Sequence, residues 1–369
     1  MVPSSFGGHS SPEGLTRASV WEVASGVDAL YLSAWAELPD ELLARLERSK
    51  ARAQAVREAV RFSFGDIDFA LAPYGVQKYE YWLSHEYGAL GVSSKKSIPP
   101  LRWQPRSELL HGIGVESALD ALGTVTEAEV GLFRFTVSRL DLYSDWQGWD
   151  VGLLDETRFV RRARHVAVDL DGDAWTGFTF GRRRSGTIGG RIYDKTAEIA
   201  AGKGNPMWFE IWKERYVPDS SVIRVEFEFH RQALFKEFGL DTPEEVLANL
   251  GGLWGHATES WLTHRDLTGD FTRSRLPISG PWASIQQPSF RENAIGLDRA
   301  TRGKGQAELE NILPVLRGCF TSASAQWGVD GMVEGLGKFA EYLHAWELAT
   351  GRSVDGEIAV KRQKKDWGL

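Results

Sequence analysis

In the segment Ile223 to His230, IRVEFEFH, a charged or imidazole side chain takes every second place and an aliphatic or phenyl one fills the places between. A period of two sets Arg224, Glu226, Glu228 and His230 on one side of an extended strand and Val225, Phe227 and Phe229 on the other. A helix of about 3.6 residues per turn would scatter both sets around its axis. Such a strand has one face to bury and one to keep polar, so the chain must build a sheet with its core on one side. Two other segments carry the pattern. In SRLDLYSD, Arg139, Asp141, Tyr143 and Asp145 alternate with Leu140 and Leu142, and in GGRIYDK, Arg191, Tyr193 and Lys195 stand opposite Ile192.

The elements around these strands occur in a repeated order. VDALYLSAW reads as a strand, and Pro39-Asp40 opens a helix with apolar positions at Leu42, Leu43, Leu46, Ala53 and Val56. VRFSFGDIDFALA, YEYWLS and PLRWQPRSELL read as strands, followed by a helix near Val115 to Leu122, which makes βαβββα. A second pass follows: the strand FRFTVSRLDLYSDW, a helix LLDETRFVRRARH, the strands AVDLD, GFTFG and IGGRIYDK, and a strand running into a helix at VIRVEFEFHRQALFKEFG. A hairpin-like turn RRRSGT joins GFTFG to IGGRIYDK, and a Trp-bearing insertion lies near Pro206 to Tyr216. The expected fold is α+β: a duplicated βαβββα-type unit forming an antiparallel-rich central sheet with helices on one face, plus a C-terminal helical appendage. The expected organisation is a flexible Gly/Ser/Pro-rich segment 1–18, a domain 19–240 in two halves (19–130 and 131–240), and a mainly helical region 241–369. That last region holds PEEVLANLGGLWGHATESWLTHR, AELENILPVLRGCF and MVEGLGKFAEYLHAWELATG and ends in the basic tail KRQKK.

Composition narrows the function. A single cysteine, Cys319, rules out an intrachain disulfide, and no signal peptide or membrane-spanning apolar run is present, so a soluble, cytoplasmic protein with no membrane partner is expected. A net charge of −7 does not announce a nucleic-acid binder, so any DNA contact must be local. Arg161, Arg162 and Arg164 in RRARH, and Arg182, Arg183 and Arg184 in the turn, are candidate phosphate contacts; taken alone, a charge run is a solvated face. No His-x-His or His-Glu-x-x-His occurs, which argues against a histidine-held metal, and neither a phosphate-binding loop nor a dinucleotide fingerprint is found.

If the three alternating strands are neighbours, carboxylates and a tyrosine converge on one patch. Carboxylate oxygens suit Mg²⁺ or Mn²⁺, which polarises a phosphate for in-line attack. A phenol of pKa about 10 needs help to attack, and Arg191 and Lys195 on its own face are placed to lower that value. The alternative is a solvated sheet face with cross-strand ion pairs.

SRLDLYSDW, FTFGRRRSGTIGGRIYDKTAE and IRVEFEFHRQAL, in this order, resemble the replication initiation factor family of rolling-circle plasmids, with related relaxases of integrative elements. The likeness covers about Phe133 to Phe238, more loosely back to Val27, and leaves out the C-terminal third. It implies a DNA nickase in which Tyr193 attacks a phosphodiester at an origin, leaving a 5′-phosphotyrosine and a free 3′-hydroxyl. It makes Asp141 and Glu226 metal ligands, with Asp145 and Glu228 as further ones, and suggests a homodimer working with a host helicase. Gly189-Gly190 would let a DNA strand approach closely. The rival readings are a non-catalytic origin-binding or regulatory protein, in which acids and tyrosine are structural, and a metal-dependent nuclease in which water attacks.

Overall fold

A computed structural model of the chain describes residues 20–182, 187–269, 272, 275–291 and, between 320 and 358, all but 322, 352 and 357. The expected segment 1–18, Arg183 and Arg184, Cys319, most of AELENILPVLRGCF and the tail KRQKK lie outside the described residues. The chain divides into two compact units, Met1–Ala300 and Thr301–Leu369.

The first unit is organised by two long strands, β1 (Trp21–Ala36) and β7 (Phe133–Gln147), which pair antiparallel along nearly their whole length. Beside β1 lie, in order outward, β6 (Leu101–Pro105), β5 (Gly88–Val92), β4 (Tyr81–His85), β3 (Ile67–Leu71) and β2 (Val60–Phe64). Beside β7 lie β12 (Ile223–His230), β11 (Ile188–Asp194), β10 (Ala174–Phe180) and β9 (Val166–Asp171). Every neighbour in this 11-stranded sheet is antiparallel. In each half the first strand is central and the last strand returns to pair beside it, so the repeated order of elements is a repeated topology. One local reading was too coarse: VRFSFGDIDFALA is two strands, reversed at Gly65, whose φ of 59° suits glycine.

Leu30 and Leu32 of β1, Leu140 and Leu142 of β7, and Val225, Phe227 and Phe229 of β12 point to one face and are buried there. They pack with Leu42 and Leu46 of α1 (Asp40–Val56) and with Leu122 and Val125 of α3 (Val115–Val130), which follows the short α2 (Ser107–Ile113). On the opposite face, α4 (Lys195–Ala200) and α5 (Met207–Trp212) pack Ile199, Trp208 and Trp212 against Val23, Tyr143 and Val222.

One expectation is corrected by long-range packing. LLDETRFVRRARH is not a helix: Leu153–Arg158 is a short 3₁₀ turn, and β8 (Phe159–Arg161) pairs with β13 (Leu262–His264), about a hundred residues on. Asp155 ties the turn by accepting from the Gly152 amide and bonding the His264 ring, partners that local periodicity cannot reveal. Helices after residue 240 also reach the sheet. α6 (Pro243–Leu247), α7 (Leu250–Gly255) and α8 (Gly280–Ile285) put Val246, Trp254 and Trp282 into the core under the sheet, and Trp254 and Trp282 donate to Ile285 and Thr258 carbonyls. In the second unit, α9 (Met332–Thr350) ends at Gly351, whose φ of 66° makes a left-handed cap. Among the described residues no helix is long and apolar enough to cross a membrane.

Candidate active site

The three alternating strands are consecutive in the sheet, β7–β12–β11, and their register lines up the polar side chains in rows. Tyr193 stands beside Arg224, which stands beside Asp145. One row on, Arg191 meets Glu226 and Glu226 meets Tyr143; in the next, Gly189 meets Glu228 and Glu228 meets Asp141. This face is not a solvated one. Asp141 and Glu226 are each 2 % exposed, and Asp145 and Arg224 are fully buried.

Arg224 and Asp145 form the anchor. Arg224 donates from Nε and Nη2 to the two oxygens of Asp145 at 2.7 and 2.8 Å, and Trp212 Nε1 adds a third bond at 2.8 Å. The guanidinium lies 3.7 Å from the Trp208 ring centre and 4.3 Å from that of Tyr143, so α5 closes over it. A buried charge of this kind persists only when paired, and the remaining nitrogen, Nη1, lies 3.6 Å from Asp28 Oδ1. Both Asp145 oxygens are thus engaged, one by Arg224 and the other by Arg224 and Trp212.

Tyr193 is half-buried and donates its hydroxyl to Glu226 Oε2 at 3.2 Å, while Arg191 Nη2 donates to Glu226 Oε1 at 2.5 Å. Burial would raise the Glu226 carboxyl, but Arg191, then Arg224 and Lys195, outweigh it and hold the value down to about 2. The phenol moves the other way. Burial, and next the negative Glu226, push it well above the usual 10, against the pull of Arg224 and Arg191. The expected activation by Arg191 and Lys195 is thus overcome in this state. Lys195 begins α4, binds Glu198 at 2.5 Å and sits 5.6 Å from the Tyr193 ring centre.

Asp141 and Glu228 converge on a single cationic group. Arg139 Nη2 lies 2.5 Å from Asp141 Oδ2 and 2.7 Å from Glu228 Oε2, with Nε bonding Asp141 Oδ1 at 2.7 Å. His230 pairs with the other Glu228 oxygen. Burial, with Glu226 and Glu228 adding to it and Arg139 opposing, raises the Asp141 carboxyl to about 7. Among the described residues no three His, Cys, Asp or Glu side chains form a ready metal cage. The donors nonetheless suit a hard cation: they are all carboxylate oxygens, and two of them already share one positive nitrogen.

Open grooves flank this cluster. On one side a groove of about 1000 Å³ is lined by Tyr193, Arg191, Arg182, His165, Lys203 and Asp169, among others. On the other, a groove of about 500 Å³ runs from Asp141, Glu226 and Arg139 onto the first half of the sheet at Tyr31, Gln104 and Trp82. Of the expected phosphate contacts, Arg182 is exposed at the first groove; Arg161 pairs within β8, and Arg162 and Arg164 are exposed in the irregular stretch after it. The glycine pair divides. Gly189 shares the polar face with Glu228, whereas a Cβ on Gly190 would come within 3.0 Å of Trp261 and 3.2 Å of Phe227, so core packing requires that glycine. Sequence reasoning missed α5 and its tryptophans over Arg224, for which the only signal was aromatic density in the insertion.

No model of a known protein family matches the chain, and no curated protein sequence matches it. Among solved structures it is similar to the rolling circle replication initiator protein from Geobacillus stearothermophilus, at 12% identity over 73% of this chain and 96% of that one, with a TM-score of 0.39.

Proposed function

We propose that the protein nicks one strand of DNA by transesterification, with Tyr193 as nucleophile and Asp141 and Glu226 holding a divalent cation beside it. The observation that carries the proposal is the bond from the Tyr193 hydroxyl to the buried Glu226, on a face where Arg191 pairs with Glu226 and Arg139 with the buried Asp141. The motifs on these three strands are the ones that resemble rolling-circle initiators.

In the step proposed, the Tyr193 oxygen bonds to a backbone phosphorus, the bond from phosphorus to the 3′ oxygen breaks, and that oxygen leaves as a 3′-hydroxyl. Glu226, the hydrogen-bond partner, accepts the phenolic proton only transiently as the O–P bond forms and passes it to the departing 3′ oxygen, which returns Glu226 to its ionised state. Arg191, anchored on Glu226, is placed to meet charge developing on the phosphate. A bound Mg²⁺ or Mn²⁺ would supply the positive charge that polarises the phosphate and favours the ionised acids. The resting state holds the phenol protonated, which guards against attack before DNA and cation are both present.

One observation favours the rival, non-catalytic origin-binding reading: Arg139, Arg191 and Arg224 each pair with an acid, as the ion pairs of a structural face do. Incubation of the protein with supercoiled origin DNA and Mg²⁺ or Mn²⁺ separates the readings. A covalent protein–DNA adduct supports the tyrosine mechanism, a nick without adduct supports attack by water, and binding without a nick supports the regulatory protein.

A further inference from the structure

The first half of the sheet carries a tryptophan that the core does not use. Trp82 on β4 is half-buried, belongs to neither hydrophobic cluster and lines the groove that begins at Asp141 and Glu226. Most of the other described tryptophans are buried in those clusters or donate Nε1 to a named acceptor. Between Trp82 and the acids the groove passes Ala89 on β5 and Gln104 on β6, and Arg106 stands exposed on its wall. Tyr31, on β1, already carries Arg139 and Arg102 at 5.1 and 5.7 Å from its ring centre, whereas among the described residues no cation lies over the Trp82 ring.

We propose that Trp82 is a stacking platform for a base of the single strand that Tyr193 cuts, with Arg106 contacting a phosphate of the same strand elsewhere along the groove. This rests on the nicking reading for the identity of the ligand. The four strand intervals from β4 to β7, at about 4.8 Å each, set Trp82 on the order of 20 Å from Asp141, several nucleotides from the cut. A half-buried flat ring and an exposed arginine lining one open polar groove are the equipment for holding single-stranded nucleic acid without reading its sequence. The non-catalytic half of the sheet then acts as the strand guide for the catalytic half.

The test is fluorescence anisotropy of a labelled oligothymidylate of about 20 nucleotides, longer than one such footprint, titrated with the full chain. Trp82→Ala should weaken binding by roughly 5- to 150-fold with an unchanged salt slope, and Trp82→Phe should recover most of the loss. Arg106→Ala should lower the slope of log affinity against log salt by about 1. Unchanged affinity in Trp82→Ala, at an unfolding midpoint equal to the native one, overturns the platform; so does a Trp82→Phe variant as weak as the alanine one. Adduct formation by the native protein is scored separately: Trp82-dependent binding without an adduct keeps the platform and removes the nicking reading, and an adduct without Trp82 dependence does the reverse.

Discussion

The two halves of the sheet share a strand order and carry different chemistry on the same face. In the second half, the strand beside β7 presents Arg224, Glu226 and Glu228, and the next presents Arg191 and Tyr193. In the first half, the corresponding strands beside β1 present Arg102 and Gln104, then Ala89 and Gly91. The apolar faces are alike and the polar faces are not, which separates what the fold requires from what the site adds. Charges on a buried sheet face persist only if each has a partner, and the second half supplies one for each: Arg224 with Asp145, Arg191 with Glu226, Arg139 with Asp141 and Glu228. The first half needs no such network because its polar side chains stay half-exposed.

The sharpest way to break this contrast is to remove one arginine from each half. Arg224→Met leaves Asp145 charged, buried and unpaired, and should cost about 3–5 kcal/mol in unfolding free energy by urea titration. Arg102→Met, losing an exposed bond to Gln77 and a distant contact with the Tyr31 ring, should cost no more than about 1–2 kcal/mol. Equal costs would mean that the buried network is no special feature of the second half.

Glu226→Gln should lower nicking by about 10²- to 10⁴-fold, because it removes both the acceptor of the Tyr193 proton and the charge that anchors Arg191. Rates of adduct formation at saturating DNA measure it.

Asp141 offers a pH signature. Its folded value near 7 lies above the unfolded carboxylate value of about 3.9, so this group favours folding at low pH and the contribution is lost as pH rises through 7. Relative to Asp141→Asn, the cation-free native protein should gain about 1 kcal/mol of stability per pH unit between pH 7 and 5. Glu226 has the opposite sign, and its contribution is lost only as pH falls toward 2, outside that window. Urea titrations of both proteins at pH 5, 6 and 7 check the slope. At the small end, Ser84→Ala, on the exposed first-half face, should stay within about 0.5 kcal/mol of native.

Much of this was legible in the residues. Alternation put Arg139, Asp141, Tyr143 and Asp145 on one face and Leu140 and Leu142 on the other, because side-chain direction in a strand is a local property. The repeated order of elements foretold the repeated topology. Partnerships were not legible. Alternation says that Asp145 and Arg224 are both on the polar side, but only the order β7–β12–β11 decides that they meet and that Glu226 takes Tyr193. The strand β8 was hidden for the same reason: Phe159–Arg161 extends because Leu262–His264 pairs with it, a partner no local window contains. The core under the sheet likewise recruits Trp254 and Trp282 from beyond residue 240, where the pattern turns helical and no local window shows what the helices pack against.

The central claim is that Tyr193 becomes bonded to DNA. Native protein and Tyr193→Phe, each incubated with supercoiled origin DNA and Mg²⁺ or Mn²⁺, are resolved on a denaturing gel, and the native adduct is digested for peptide mass analysis. The account predicts a DNA-linked peptide containing Tyr193 from the native protein and neither nick nor adduct from the variant. Full nicking by Tyr193→Phe would contradict it.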